Sequence, residues 1–233
     1  MLRRPAFDRV SVASAEKARS ALDRALGPSK VIATKEGCLA YASDESEQEP
    51  VIPDAVVLAT SADDIQKALR IASECEVPIT PRGGGSGKSG GAVPVSGGIV
   101  LCTLKMNQIK EIDRDERLAV VEPGIILGDL HDAVEAEGLF YPPDPNSLRM
   151  CALGGNIAEN AGGPRALKYG VTRAYVLGLE AVLVDGTRMS FGRRTVKGVT
   201  GYDMTALLVG SEGTLAVTTE ATLRLVSKPE SVV

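Results

Sequence analysis

Tryptophan is absent from this chain, and aromatic residues make up only 3% of its 233 positions. Its core must therefore be aliphatic, built from Val, Leu, Ile and Ala. Histidine occurs once, as His131, and the four cysteines (Cys38, Cys75, Cys102 and Cys151) are scattered with no CxxC pair. That excludes a Cys/His zinc site and leaves no spacing suited to an iron–sulfur cluster, so no metal is expected and the cysteines read as reduced and structural. No apolar run approaches the roughly 18 residues of a membrane span. Met1-Leu2-Arg3-Arg4 is not followed by a signal-peptide core, so a cytoplasmic protein is the default expectation. A net charge of −4 offers nothing to nucleic acid. Glycine is the excess, at 25 residues, which implies many tight turns or a backbone that approaches something closely. The 44% hydrophobic and 24% charged content is that of a globular protein, one large domain or two small ones.

Along the chain, residues 14–26 predict a helix with Ser14 as N-cap, Ala18, Ala21, Leu22 and Ala25 on one face, and Gly27-Pro28 as its stop. The acidic stretch 44–50 reads as a solvated connection. An apolar strand at 55–59, a helix opened by Ser61 and Asp64 in the manner of a capping box, and a strand at 77–80 make a βαβ unit and hence a small parallel sheet. In that helix Ile65, Ala68, Leu69 and Ala72 fall at helical spacing. After residue 98 the pattern changes to a strand at 98–102, hairpins at 109–121 and from 176 through Asp185-Gly186, and alternating apolar positions from Leu215 to Leu225. An amphipathic helix is predicted at 127–137, with His131 as a surface residue of it. The chain thus divides into a small α/β lobe ending near residue 104 and a larger mixed α+β lobe after it.

The central feature is the run Pro81-Arg82-Gly83-Gly84-Gly85-Ser86-Gly87-Lys88-Ser89-Gly90-Gly91, directly after a predicted strand. Consecutive glycines let several backbone N–H groups point into one concavity, a nest suited to an anion such as phosphate. Two familiar forms fail here. Gly87-Lys88-Ser89 resembles the tail of a P-loop, but Arg82 stands where the opening glycine is required. Gly85, Gly87 and Gly90 satisfy GxGxxG as a string, yet the following Gly91-Ala92-Val93-Pro94 cannot open the helix that the dinucleotide fingerprint needs. A plain glycine-rich linker is the bland alternative. Against it stand three further loops: a proline-fixed turn from Tyr141 to Ser147, a loop at 154–163 with glycine pairs at both ends, and Gly210-Ser211-Glu212-Gly213 before the final strands. Several such loops around one nest suggest a large, elongated ligand lying between the lobes.

Five motifs, PRGGGSGKSGGAVP, YPPDPNS, GGNIAENAGGPRALKYGVT, TVKGVTGYD and VGSEGTLAVTTEATLRL, follow in an order that resembles FAD-linked oxidases of the vanillyl-alcohol oxidase superfamily. The resemblance is nearest to the glycolate oxidase FAD-linked subunit and D-lactate dehydrogenases, and covers residues 50–228. It implies an α+β fold, a PCMH-type FAD-binding domain of two α/β subdomains with FAD between them. On this reading residues 1–49 are an N-terminal helical segment, 50–104 the small subdomain, 105–228 the larger one, and 229–233 the start of a missing cap domain. By resemblance, Arg82, Gly83, Gly84, Gly85, Ser86 and Gly87 belong to the pyrophosphate loop, and Ser89 and Ser147 are hydrogen-bond donors to the cofactor. Pro143 and Asp144 lie in the loop packing by the flavin. Gly154, Gly155, Ala158, Asn160, Gly162 and Gly163 run beside the ring and ribityl chain, followed by Tyr169 and Gly170. Gly213 and Val217 lie at the cofactor's other end. The first glycine loop has no histidine, so non-covalent FAD is expected.

The resemblance further implies hydride transfer from the α-carbon of a D-lactate- or glycolate-like 2-hydroxy acid to flavin N5, in an FAD-dependent oxidoreductase acting on CH-OH groups. General-base catalysis needs a titratable group at the substrate hydroxyl, and no residue here is assigned to it. Arg82, Lys197 and Asp203 sit within the motifs but serve equally well as loop braces. Electrons would pass to an iron–sulfur subunit, a quinone or an electron-transfer flavoprotein. Such a partner is also what would hold the protein at the inner membrane face. An uncovered cofactor face implies association with a cap domain, a partner or a second copy. The alternative is a non-catalytic FAD-binding electron-relay or assembly subunit.

Overall fold

The computed structural model describes residues 8–229. Met1-Leu2-Arg3-Arg4 and the residues after Pro229, in the segment read as the start of a further domain, lie outside the described residues. The elements run α1 (Val12–Leu26), β1 (Val31–Ile32), α2 (Lys35–Leu39), β2 (Ala55–Leu58), α3 (Ala62–Glu74), β3 (Ile79–Arg82) and β4 (Ile99–Cys102). There follow β5 (Ile109–Asp113), β6 (Leu118–Val121), α4 (Leu127–Ala136), β7 (Leu139–Phe140), α5 (Leu153–Glu159) and α6 (Ala166–Tyr169). Last come β8 (Val176–Val182), β9 (Arg188–Gly192), α7 (Met204–Leu208), β10 (Val217–Arg224) and β11 (Val226–Ser227).

Two sheets organise the chain. The first has the order β1-β2-β4-β3, with β2, β4 and β3 parallel and β1 antiparallel at one edge. Every residue of β4 is buried, which suits a central strand. β3 is half-buried and carries Pro81, whose missing N–H confines it to an edge. The predicted βαβ unit is present, but β4 is inserted between its two strands. β3 also starts two residues later than predicted, at Ile79, because Val77 N closes the end of α3 on Ala72 O at 2.9 Å.

The second sheet is antiparallel throughout, in the order β5-β6-β10-β8-β9. The two predicted hairpins form its flanks. In β10 the buried positions are Val217, Thr219, Ala221 and Leu223, the period-two alternation of a strand. Leu215 lies exposed ahead of that strand rather than in it.

Local chemistry sets the helix boundaries. α1 begins at Val12, and its cap is extended Ser11, three residues before the predicted Ser14; the Ser11 hydroxyl accepts from Ser14 N at 3.1 Å. Its inward face is Ala15, Ala18 and Leu22, whereas Ala25 is exposed. α3 is capped as predicted by Ser61, whose hydroxyl accepts from Asp64 N. The Asp64 carboxylate turns instead to Thr60 N at 2.9 Å and to Lys30 Nζ at 2.7 Å. Burial alone would raise the pKa of Asp64; the bonds from Lys30 and Thr60 outweigh it and hold the group below its ordinary value.

α1 and α3 pack on the first sheet in a core containing Leu22, Ile65, Leu69, Ile99 and Leu101, and that core takes in Val182 and Val217 from the second sheet. Each fully buried Leu or Ile there contributes about 1.5–3 kcal/mol. Gln66 on α3 donates to Gly186 O, and Arg188 pairs with Asp63 at 2.9 Å, so α3 is also tied to the β8–β9 hairpin. A second core holds Leu127, Leu130, Tyr141, Leu153, Ile157 and Leu223.

His131 is not the surface residue predicted from sequence. It is 5% exposed, on the face of α4 that buries Leu127, Leu130 and Val134. Its Nε2 lies 2.9 Å from Pro143 O, and its ring meets Tyr141 edge-on at 5.9 Å. Burial is the main cause that depresses its pKa. All four cysteines are buried and free.

Candidate functional site

A groove opens where the loop after β3 meets α5 and the turn before β10. Its first wall is the glycine loop, with Arg82, Gly83, Gly84, Gly85, Ser86 and Gly87 all lining the space. Gly85 and Gly90 take φ of 67° and 87°, the left-handed backbone that glycine tolerates best. No backbone N–H of residues 83–91 donates to a described residue. Together they form a nest of donors. Two of its glycines are fixed by packing: a Cβ on Gly84 would run into the Met150 carbonyl, and one on Gly83 would lie 3.1 Å from Ala152 Cβ. The loop therefore docks on the segment leading into α5.

The opposite wall comes from that segment and from α5, through Ser147, Gly154, Gly155 and Ala158. Residues 154–163, read from sequence as one loop, begin instead as a short helix, because Leu153 N and Gly154 N are anchored on Ile125 O and Pro123 O and start the turn. Gly155 N has no acceptor among the described residues, and a Cβ there would meet nothing within 4 Å. The third side is Gly213 and Val217, with Glu212 N bonded to Ala158 O at 2.9 Å.

Other predicted residues brace this groove rather than line it. Ser89 Oγ donates to Glu159 Oε1 at 2.7 Å. Pro143 offers its carbonyl to His131, and Asp144 accepts from Arg165 N at 3.0 Å. Gly163 adopts φ of 136° with its α-carbon against the Asp144 carbonyl, where a Cβ would collide. Asn160 ends α5 in the left-handed region and accepts from Arg173 N at 2.9 Å. Gly162 packs by Val171 and Ala166; Tyr169 O accepts from Tyr175 Oη, and Gly170 terminates α6. Arg82, although at the rim, donates to Ser43 O at 2.8 Å and lies over the Tyr41 ring, so it supports its own loop. Lys197 is exposed, and Asp203 caps α7.

Sequence reasoning missed Asp44, Lys88, Thr103, Asn156 and Glu159, all of which line the groove. Asp44 lies in the stretch read as a solvated connection; its carboxylate accepts from Ala92 N and reaches the glycine loop through the fold alone. Among the described residues no cluster of three or more His, Cys, Asp or Glu is placed to hold a metal. None of their helices is long and apolar enough to cross a membrane.

A cradle of unpaired N–H groups, free of Cβ atoms and continuous with open space at Gly155, fits an extended dinucleotide with its phosphates at the loop. A family model described as FAD binding domain matches residues 53–192. The chain belongs to this FAD-binding family. It is 50% identical over 205 residues to glycolate oxidase subunit GlcD of Bacillus subtilis, covering 88% of this chain and 44% of that protein. It is 50% identical over 170 residues to D-lactate dehydrogenase of Archaeoglobus fulgidus, covering 73% of this chain and 38% of the relative. The FAD-binding chain thus spans less than half the length of these curated relatives. Among solved structures, p-cresol methylhydroxylase with substrate bound superposes with a TM-score of 0.80 at 22% identity, covering 95% of this chain and 45% of that one. The α+β, PCMH-type fold expected from the motifs is the one observed.

Proposed function

We propose that this chain holds FAD non-covalently in the groove and is the cofactor half of a flavin-dependent oxidoreductase acting on a 2-hydroxy acid of the glycolate or D-lactate class. The observation that carries this is the row of N–H groups from residue 83 to 91 with no described acceptor, facing the open Gly155 across one groove. The names of the two relatives supply the substrate class.

In this reading residues 83–87 hold the pyrophosphate through backbone N–H groups, and Ser86 and Ser147, whose hydroxyls make no bond to a described residue, donate to the cofactor. Gly154, Gly155 and Ala158 keep the second wall low enough for the elongated ligand. Gly213 and Val217 close the far end. Asp144, Asn160, Gly163 and Tyr169 act indirectly, by fixing the loops that carry the lining residues. FAD, when bound, supplies the hydride acceptor, and the protein supplies position and electrostatics. The sole histidine is bonded to Pro143 O and does not line the groove, and the proton acceptor for the substrate hydroxyl is assigned, as part of this proposal, to a further domain of the intact enzyme. Leu167, Val199 and Tyr202 are each more than four-fifths exposed, apolar side chains available to such a further domain, to a redox partner of the iron–sulfur or flavoprotein class, or to a second copy. In this reading the boundary between the two FAD-binding subdomains falls near residue 104, a division supported by the strands of the first sheet preceding it in sequence and those of the second following it.

The test is anaerobic. FAD-loaded chain is mixed with D-lactate or glycolate, alone and with the C-terminal portion of the Bacillus subtilis relative supplied in trans. The visible flavin bands should persist in the first case and bleach in the second. Bands that persist in both, yet bleach with dithionite, would favour an electron-relay subunit. Bleaching in the first case would show that the chain holds its own proton acceptor.

A further inference from the structure

One feature of the groove opposes the ligand assigned to it. Glu159, the last residue of α5, places Oε1 2.7 Å from Ser89 Oγ. The same oxygen lies 3.6 Å and 3.7 Å from the positions a Cβ would take on Gly87 and Gly91. A carboxylate thus lies over the nest that would receive phosphate, held there by a hydroxyl of the nest itself. The bond joins residues 70 apart in sequence, one on the glycine loop and one on the facing wall. Among the described residues Glu159 makes no ion pair: Arg82 donates to Ser43 O and Ala92 O, Lys88 lines the groove without pairing to it, and Asp44 adds a further negative charge at the rim.

Resting on the reading of the groove as an FAD site, we infer that Glu159 is a built-in competitor of the cofactor's phosphates. Its carboxylate serves as the anion of the glycine loop in the cofactor-free protein, keeps that loop in its binding shape through Ser89, and must be displaced or tolerated when the pyrophosphate arrives. Two consequences separate this from a merely structural bond. Removing the charge while keeping a hydrogen-bond acceptor should tighten the binding of a phosphate-bearing ligand and leave a phosphate-free one unchanged. The gain should also shrink with added salt, because the carboxylate is exposed and its repulsion is screened.

The experiment titrates cofactor-free protein, wild type and Glu159→Gln, with FAD and with riboflavin, following flavin fluorescence at low and at high salt. Glu159→Gln is expected to bind FAD about two- to fivefold more tightly at low salt, the range of an exposed charge pair. Riboflavin affinity should not change. Ser89→Ala, combined with Glu159→Gln in a double-mutant cycle, should be non-additive, since the two side chains act as one unit. Unchanged or weaker FAD binding by Glu159→Gln, with wild type still binding FAD, overturns this inference and leaves the FAD site standing; Glu159 would then be an acceptor for the cofactor's own hydroxyl groups. An equal gain for riboflavin overturns it as well, since the effect would not be on phosphate. Failure of every variant to bind FAD overturns the site assignment, and this inference with it.

Discussion

Gly155→Ala separates what the fold needs from what the ligand needs. Gly155 lies in the first turn of α5, its φ is not in the left-handed region, and a Cβ built on it meets nothing within 4 Å. The protein itself therefore has no use for glycine there. Alanine in a helix is favoured over glycine by up to about 1 kcal/mol. For a chain of this length that is a rise of about 1–4 °C in Tm. With FAD the sign reverses. The methyl group would project into the space assigned to the cofactor, and forcing an extra carbon into a packed contact costs about 1–3 kcal/mol. That predicts Kd for FAD about 5- to 150-fold weaker. Thermal unfolding without cofactor and fluorescence titration with FAD read the two effects independently. A higher Tm with unchanged FAD affinity would refute the placement of cofactor against α5. A lower Tm would show that Gly155 is packed in the folded state after all.

Gly84→Ala should behave differently. Its Cβ meets the Met150 backbone carbonyl, so the protein should lose about 1–3 kcal/mol in urea unfolding even without FAD, and cofactor affinity should fall along with it. Asp64→Ala strands Lys30 and the Thr60 N–H; a loss of about 1–3 kcal/mol is expected at neutral pH. Because the Asp64 pKa is depressed in the folded state, its contribution is present above the ordinary carboxylate value near 4 and is lost as pH falls through the folded pKa, so wild type and variant should converge in strong acid. His131 is likewise depressed, chiefly by burial, so stability is full above about pH 6.5 and declines as pH drops through the folded value. His131→Gln keeps a donor for Pro143 O and removes that titration; its urea midpoint should fall less than that of wild type between about pH 7 and pH 5.

Much of the fold was legible because its signals are local. The Ser61 cap, the spacing of Ile65, Ala68, Leu69 and Ala72, and the Asp185-Gly186 turn are all decided within a few residues, and each is found as read. The insertion of β4 between β2 and β3 was not legible, since strand order is set by which strand is buried on both faces. His131 is the instructive miss. It stands four residues after Leu127 and three before Val134, on the apolar stripe of α4, where helical periodicity rather than residue type decides burial. In the groove, glycines carried the signal because a missing Cβ is visible in sequence. Asp44 and Glu159 did not, for a carboxylate gives no sign in sequence of the loop it will be folded against.

The central claim is that the chain itself binds FAD without a covalent bond. It is tested most directly by incubating the purified protein with FAD, desalting, recording the visible spectrum, and then precipitating the protein with acid. Flavin bands that travel with the protein and pass wholly into the supernatant on denaturation are the expected result. A colourless protein after desalting, or flavin retained in the precipitate, would contradict it.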